Sequence, residues 1–310
     1  MLKKELGLIG VLFIMVLIIG TINPNFYSSY NLQNLTRHIA LLSIFAIGEA
    51  FVIISGGIDL SVGSIIGFTG LLVAVLVMNS GFPILLALVV VFVIVLLVGF
   101  IQGVLITKLS VQPFIITLGG MMILRGIAQT ITEGGNLGFG GKYLKFKFIG
   151  TGSIYGIPVP VLILIAVAGC AFFITKYTIL GKYLYAIGGN IEAARYSGVS
   201  VAKVQIIAYI ISAGLAGISG IVYAAYLPSA SPNVGIAYEL YAIAAAVLGG
   251  CSLSGGEGTI FGVIIGASIM RLMSNGIVLM GISTFWENTI IGIVIIVAVV
   301  FDTMFQRTKK

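Results

Sequence analysis

The sequence predicts an all-α integral membrane protein of about ten transmembrane helices with both termini cytoplasmic. Three observations carry this reading. Apolar residues fill 59% of 310 positions and charged residues only 8%, a balance that soluble globular domains do not have. Long apolar runs recur from one end of the chain to the other, broken by short polar or Gly- and Pro-bearing connections. The cations gather in a few of those connections and near the ends, as the positive-inside rule asks of cytoplasmic segments. Ten spans of roughly 20 residues use about two thirds of the chain. That leaves no room for a soluble domain, so residues 1–310 read as one transmembrane domain. The net charge of +7 orients such a protein and does not imply nucleic acid.

The elements follow in order. MLKKE and the run Leu6 to Ile22 have the shape of a signal peptide, but the run is long and no small-residue cleavage site precedes Asn23. It reads as an uncleaved first span with Lys3 and Lys4 inside. Asn23 to Arg37 is polar and aromatic and suits an outer-face loop. A second span covers Ile39 to Ser55, GGIDLSVG turns the chain, and a third covers Val62 to Met78. Asn79 to Pro83 interrupts the pattern before a fourth span ending at Thr107-Lys108, and the fifth runs from Pro113 to Ile131. Thr132 to Ile157 is the longest loop; its Lys142, Lys145 and Lys147 oppose the charge rule but are outnumbered. Pro158 to Thr175 is the sixth span and Val204 to Leu227 the seventh, followed by the loop Pro228 to Tyr238. Leu240 to Gly249, Ile260 to Asn275 and Phe285 to Phe301 complete the set ahead of the QRTKK tail. The eighth is short for a crossing, which makes it tilted, broken or partly re-entrant.

Between the sixth and seventh spans lies a polar island, Lys176 to Lys203, with cations at Lys176, Lys182, Arg195 and Lys203. Asn190 is placed to N-cap a short helix over Ile191 to Ser197, Glu192 suits its first turn, and Gly198 can end it in the left-handed conformation. Ala193 and Ala194 leave a smooth face. The pattern fits a docking element, and it also fits a solvated loop. Two Gly-rich stretches echo one another: GGIDLSVGSIIG at 56–67 and GGCSLSGGEGTIFG at 249–262. Duplication and convergent turn chemistry both account for the echo. In the first, Asp59 or Ser61 can N-cap the next helix. The stretches read as capped turns, or as a gate at the cytoplasmic mouth built from Gly56, Gly57, Asp59, Ser61, Gly249, Gly250 and Ser254.

Much chemistry is excluded. No G-x-x-x-x-G-K-S/T and no strand-to-helix G-x-G-x-x-G occurs, so nothing argues that the chain binds ATP itself. His38 is the sole histidine, and Cys170 and Cys251 stand apart in apolar surroundings. Neither a catalytic constellation nor a metal site is expected. Glu49, Arg125 and Arg271 fall inside apolar runs, at about 2.5–3.5 kcal/mol each for a charge at a helix centre. The arginines can reach the outer headgroups. Glu49 has no such escape and is a candidate for a polar interior or the pathway. Tyr226 and Tyr238, near outer ends, line a pathway or belong to an aromatic belt.

GGIDLSVGS at 56–64, YAIGGNIEAARYSGVSV at 185–201, AVLGGCSLSGGEGTIFG at 246–262 and FWENTIIGIVIIVAVVFD at 285–302 together resemble the ribose-type sugar ABC transporter permeases, in order and over nearly the whole chain. The wider importer motif EAA-x-x-x-G is met by Glu192, Ala193, Ala194 and Gly198, without the Ile-x-Leu-Pro that often follows it. The resemblance implies an ABC importer permease bundle in the bacterial cytoplasmic membrane, translocating ribose or a similar aldose. It implies three partners: a cytoplasmic ATPase that holds ATP and Mg, an extracytoplasmic sugar-binding protein, and a second permease, identical or related. It makes the island, with Asn190, Glu192, Ala193, Ala194, Arg195 and Gly198, the element that meets the ATPase. Branched-chain amino acids, or stand-alone ion-coupled transport, are the alternatives.

Overall fold

The computed structural model describes residues 2–139, 143–283, 285–287, 289–293, 296–297 and 300. Within them the protein is a helical bundle. α1 (Leu2–Ile22) is followed by a single 3-10 turn, Pro24–Tyr27, and then by α2 (Ser29–Ile54), α3 (Val62–Met78), α4 (Ile84–Lys108) and α5 (Pro113–Thr132). A folded connection holds β1 (Leu137–Gly138), α6 (Leu144–Thr151), β2 (Ser153–Ile154) and β3 (Ile157–Pro158). α7 (Val159–Tyr177) leads to α8 (Ile179–Gly189) and α9 (Ile191–Tyr196) in the island; α10 (Val201–Tyr226), β4 (Ser229–Ala230), α11 (Tyr238–Leu248) and α12 (Ile260–Leu279) follow. Seven of these helices are long and apolar enough to cross a membrane, with α3 and α11 as shorter apolar helices. The protein is a multi-pass membrane protein.

Cross-links fix the direction of the spans. The Thr259 hydroxyl donates to Glu5 Oε1 at 2.8 Å, so the start of α1 and the start of α12 share one end, and Asn23 Nδ2 donates to the Leu279 carbonyl at the other. α10 is the hub, packed on α2, α3 and α4. Beside α2 it runs antiparallel: the Ser219 hydroxyl donates to the Leu41 carbonyl, and Gln205 Nε2 reaches the Ser55 carbonyl. α2 is buried all round from Ala40 to Ile54, as a helix enclosed by others must be. α4 buries only one stripe (Ala87, Val91, Val95, Gly99) and offers Leu85, Val89, Val93 and Leu97 to lipid.

Most boundaries agree with the pattern in the sequence; three differ, and the eighth span takes one of its expected forms. α2 starts ten residues before the expected Ile39 because the Ser28 hydroxyl caps the Asn31 amide, making a helix of what read as outer-face loop. The expected loop 132–157 is folded: β2 and β3 form a ribbon closed by Tyr155 and Gly156, both at positive φ, and α6 lies against α10 so closely that a Cβ on Gly150 would meet the Ala225 carbonyl carbon at 2.6 Å. α12 continues past Asn275 to Leu279. The eighth span is the broken one. α11 has 11 residues, roughly 16 Å of helix against a hydrocarbon core of about 30 Å. The chain before it descends from the far end, where β4 pairs with β1, and the Gly235 carbonyl abuts Gly63 at the start of α3. Of the expected tenth span, residues 286–287, 289–293, 296–297 and 300 are helical; the rest, the QRTKK tail, Lys142 and the side chains of Lys3 and Lys4 lie outside the described residues.

Membrane helices gain little from burying leucine that lipid already solvates, so close backbone approach carries their association. A Cβ on Gly99 would stand 2.6 Å from the Tyr209 carbonyl oxygen and 2.7 Å from Ala213 Cβ, whereas one on Gly119 meets nothing within 4 Å. Gly99→Ala is therefore expected to lose about 1–3 kcal/mol through α4–α10 overpacking. Gly119→Ala should be neutral or slightly stabilising. Thermal unfolding of the detergent-solubilised variants checks both.

Candidate functional site

The island folds as its sequence suggests. Asn190 adopts an extended conformation, and its Oδ1 accepts the Ala193 amide at 2.9 Å, opening α9. Glu192 and Arg195 form an exposed ion pair of 3.0 Å one turn apart. Gly198, at φ +82°, ends the helix, with the Val199 amide returning to the Ala194 carbonyl. Ile191, Glu192, Ala193, Arg195 and Tyr196 face outward. The smooth face expected of two alanines is carried by Ala193 alone, because Ala194 turns inward and is 5% exposed. Beside α9 a groove of about 570 Å³ runs along Gly56, Thr107, Gln112, Ile191, Arg195 and Gln205.

At the island, the Gly188-Gly189 end of α8 meets two Gly-Gly turns, Gly56-Gly57 and Gly255-Gly256. The Gly256 amide donates to the Ile54 carbonyl at 2.9 Å, joining the echo at 249–262 to the end of α2. Gly188 lies in the angle between them: a Cβ there would overlap the Ile54 carbonyl oxygen and the Gly256 amide nitrogen. A Cβ on Gly255 would lie 2.9 Å from Gly188 Cα and 3.0 Å from Gly56 Cα. The Tyr185 hydroxyl completes the contact by donating to the Gly258 carbonyl at 2.8 Å. The two echoing stretches and the end of α8 are therefore one assembly, built mostly of bare backbone. Gly56, Gly250, Gly255 and Gly256 all have positive φ, which only glycine adopts without strain.

The expected turn residues divide in two. Gly56 and Ser254 are exposed at this junction, Gly250 is half-buried, and Gly249 is buried where its Cβ would abut Gly262 of α12. Asp59 and Ser61 lie inside the bundle, both fully buried. Neither caps α3 in the expected way, since Ser61 makes no side-chain bond to the α3 amides. Asp59 Oδ1 instead accepts the Ser61 amide and hydroxyl at 2.9 and 2.6 Å, and Oδ2 accepts the Ser212 hydroxyl at 2.8 Å near the middle of α10. Glu49, fully buried, accepts the Asp59 amide through Oε1 at 3.1 Å, while its Oε2 is unpartnered. Ser61 Oγ also lies 3.1 Å from Gln102 Oε1. Glu49 is thus the fixed end of a polar network spanning α2, the turn, α4 and α10. Gln102, Ser212 and Tyr209, whose hydroxyl is 3.5 Å from the Ile58 carbonyl, are the members that sequence reasoning missed. Gln102 left a signal: it is the one strongly polar side chain between Ile84 and Ile106.

The two interior arginines contact protein groups. Arg125 Nη1 donates to the Pro232 and Val234 carbonyls at 2.8 and 2.9 Å, pinning the descending chain before α11. Arg271 lies 5.4 Å from the Tyr241 ring centre and 6.0 Å from that of Tyr238. Among the described residues no group of three His, Cys, Asp or Glu side chains could hold a metal. Cys251 is fully enclosed at the junction, and burial pushes its thiol up to about 12.

The sequence model of the branched-chain amino acid transport system / permease component family matches residues 31–299. The chain belongs to that family. It is 42% identical over 301 residues to the ribose import permease protein of Haemophilus influenzae, covering 96% of this chain and 93% of that one. The ribose import permease protein of Bacillus subtilis is 41% identical over 300 residues, covering 96% and 92%. The D-allose transport system permease protein of Escherichia coli K12 is 35% identical over 303 residues, covering 97% and 92%. No solved structure matches the chain.

Junction packing makes a sharp prediction within one dipeptide. Gly188→Ala must displace backbone on two sides and is expected to cost about 1–3 kcal/mol. Gly189→Ala, whose Cβ meets nothing within 4 Å, should leave stability unchanged. Reactivity of Cys251 toward a maleimide in the folded protein reads the same contrast: slow in the parent and Gly189→Ala, faster in Gly188→Ala.

Proposed function

We propose that this chain is the membrane permease subunit of an ATP-driven importer that carries a monosaccharide, ribose or a similar aldose, across the cytoplasmic membrane of a bacterium. The observation that carries the reading is the likeness, over more than nine tenths of both chains, to permeases named for ribose and allose. The family's own description points to branched-chain amino acids instead. The sugar reading is preferred because individual relatives at this identity and coverage are more specific than a family heading.

In this reading the chain catalyses nothing. ATP and Mg are held by a separate cytoplasmic ATPase, which seats α9 through Asn190, Glu192, Ala193, Arg195 and Gly198, with Ala194 anchoring the helix from behind. An extracytoplasmic binding protein delivers the sugar at the opposite end, and a second permease copy, identical or related, completes the pathway across the lipid bilayer. Closure of the ATPase on ATP presses α9. The junction at Gly188 passes that displacement to the turn at 54–59, between α2 and α3, and to the turn at 249–258, between α11 and α12. The turns holding Gly56 and Gly57, and Gly249, Gly250 and Ser254, then act as the moving mouth, with Asp59 and Ser61 as the buried tie behind the first.

Affinity purification in mild detergent from the native membrane tests this. A stoichiometric ATPase is expected to accompany the tagged chain, and Ala193→Trp, on the outward face of α9, should reduce its recovery by about tenfold or more. Purification alone, with sugar uptake into liposomes driven by a proton or sodium gradient, would replace the reading with a secondary transporter. Uptake of leucine but not pentoses by the complete importer would move the substrate class.

A further inference from the structure

Halfway through the bundle, where the chain drops in to begin α11, aromatic and polar side chains from five segments converge. The Phe45 and Tyr238 rings stack at 5.7 Å and 8°. Tyr223 lies 5.5 Å from Tyr238, and Tyr241 6.2 Å from it on the other side. The Arg271 guanidinium covers Tyr238 and Tyr241. Glu287 closes the group, its Oε1 accepting the Ser274 hydroxyl at 2.6 Å and the Tyr241 hydroxyl at 3.3 Å.

This group is not a finished structural core. Arg271 Nε and Nη2 are buried donors without a hydrogen-bond partner, and the buried Tyr223 hydroxyl has the Tyr238 hydroxyl beside it but no well-directed bond. No carboxylate pairs with Arg271 among the described residues. Each unmet buried polar atom costs about 1–3 kcal/mol, so a cluster holding three is built for something that brings its own donors and acceptors. The occupant's chemistry follows from the walls. Flat tyrosine faces suit the C–H face of a pyranose or furanose ring. A guanidinium, a phenol and a carboxylate together suit hydroxyls that both donate and accept. Glu287 disfavours an anion, and Arg271 disfavours a cation.

The broken helix is an independent pointer. Interrupted helices in transporters place unpaired helix ends where the cargo passes, and here the start of α11 carries Tyr238 and Glu239 into the bundle beside Gly63.

We propose that Tyr223, Tyr238, Tyr241, Arg271 and Glu287 form a station in the permease itself that contacts the neutral sugar during passage, so that the chain selects its cargo as well as conducting it. This rests on the importer reading above. The tyrosine rings wall the station, and the Tyr223 hydroxyl and the Arg271 donors without partners take sugar hydroxyls.

The test uses the complete importer, with its ATPase and binding protein, in liposomes and labelled D-ribose as probe. Tyr223→Phe removes one unbonded hydroxyl and keeps the ring. It is expected to lower ribose uptake about three- to tenfold, while ATP hydrolysis stimulated by the loaded binding protein stays within about twofold and thermal stability is unchanged or raised. Arg271→Lys, which keeps the charge but not the forked donors, should do the same. Uptake equal to the parent's in both variants would overturn the station and leave a water-filled structural cluster. So would equal losses of uptake, ATP hydrolysis and stability. Failure of the parent complex to take up any monosaccharide would remove the importer reading, and the station with it.

Discussion

The structure depends on bare backbone touching bare backbone. Inside a bilayer the solvent is itself hydrocarbon, and a leucine leaving lipid for a helix interface changes environment very little. Stability must come from contacts closer than lipid can make. α10 obtains them along its length: against Gly48 of α2, against Gly99 and Gly103 of α4, and through its own Gly220 against the Ile66 carbonyl of α3. The same device is concentrated at the island, where Gly56, Gly188 and Gly255 meet. With α10 held on three sides, the peripheral helices α1, α4, α5 and α7 are free to give an outer face to lipid.

Depth inside such a bundle is expensive for polar groups, and the protein meets this by chaining them. Asp59 is tied to Ser61 and Ser212, Ser61 approaches Gln102, and Glu49 receives the Asp59 amide. Two carboxyl groups thereby occupy the interior with hydroxyl and amide partners in place of a cation. Removing a single partner leaves the others buried and unmet, so the network acts as a unit and fixes where the sunken turn joins α2 to α3.

Much of this was legible in the chain. The span Val62 to Met78 coincides with α3, and the ends of α4 and α5 agree within a residue, because apolar length and a following Pro or Lys are local signals. The cap at Asn190 and the stop at Gly198 were equally local, and the shortness of the eighth span announced its break. What stayed hidden depends on distant pairing. Ser212 reaches Asp59 across 153 positions, and no periodicity encodes that. The depth at which GGIDLSVG sits was invisible too, since a capped surface turn and a sunken one share a composition. Tyr30 to Asn34 read as loop because polarity was taken to mean irregular backbone, whereas α2 extends beyond the apolar zone with its cap on Ser28.

The meeting of Gly56, Gly188 and Gly255 also sets how the protein responds to force. A joint made of side chains has slack: a rotamer change can absorb an ångström of displacement before anything behind it moves. At Gly56, Gly188 and Gly255 this joint has no rotamers to change. Through it the island touches two turns nearly 200 residues apart in sequence. The three dipeptides form a yoke without side-chain slack, the arrangement that lets two parts keep in step without either having to signal the other.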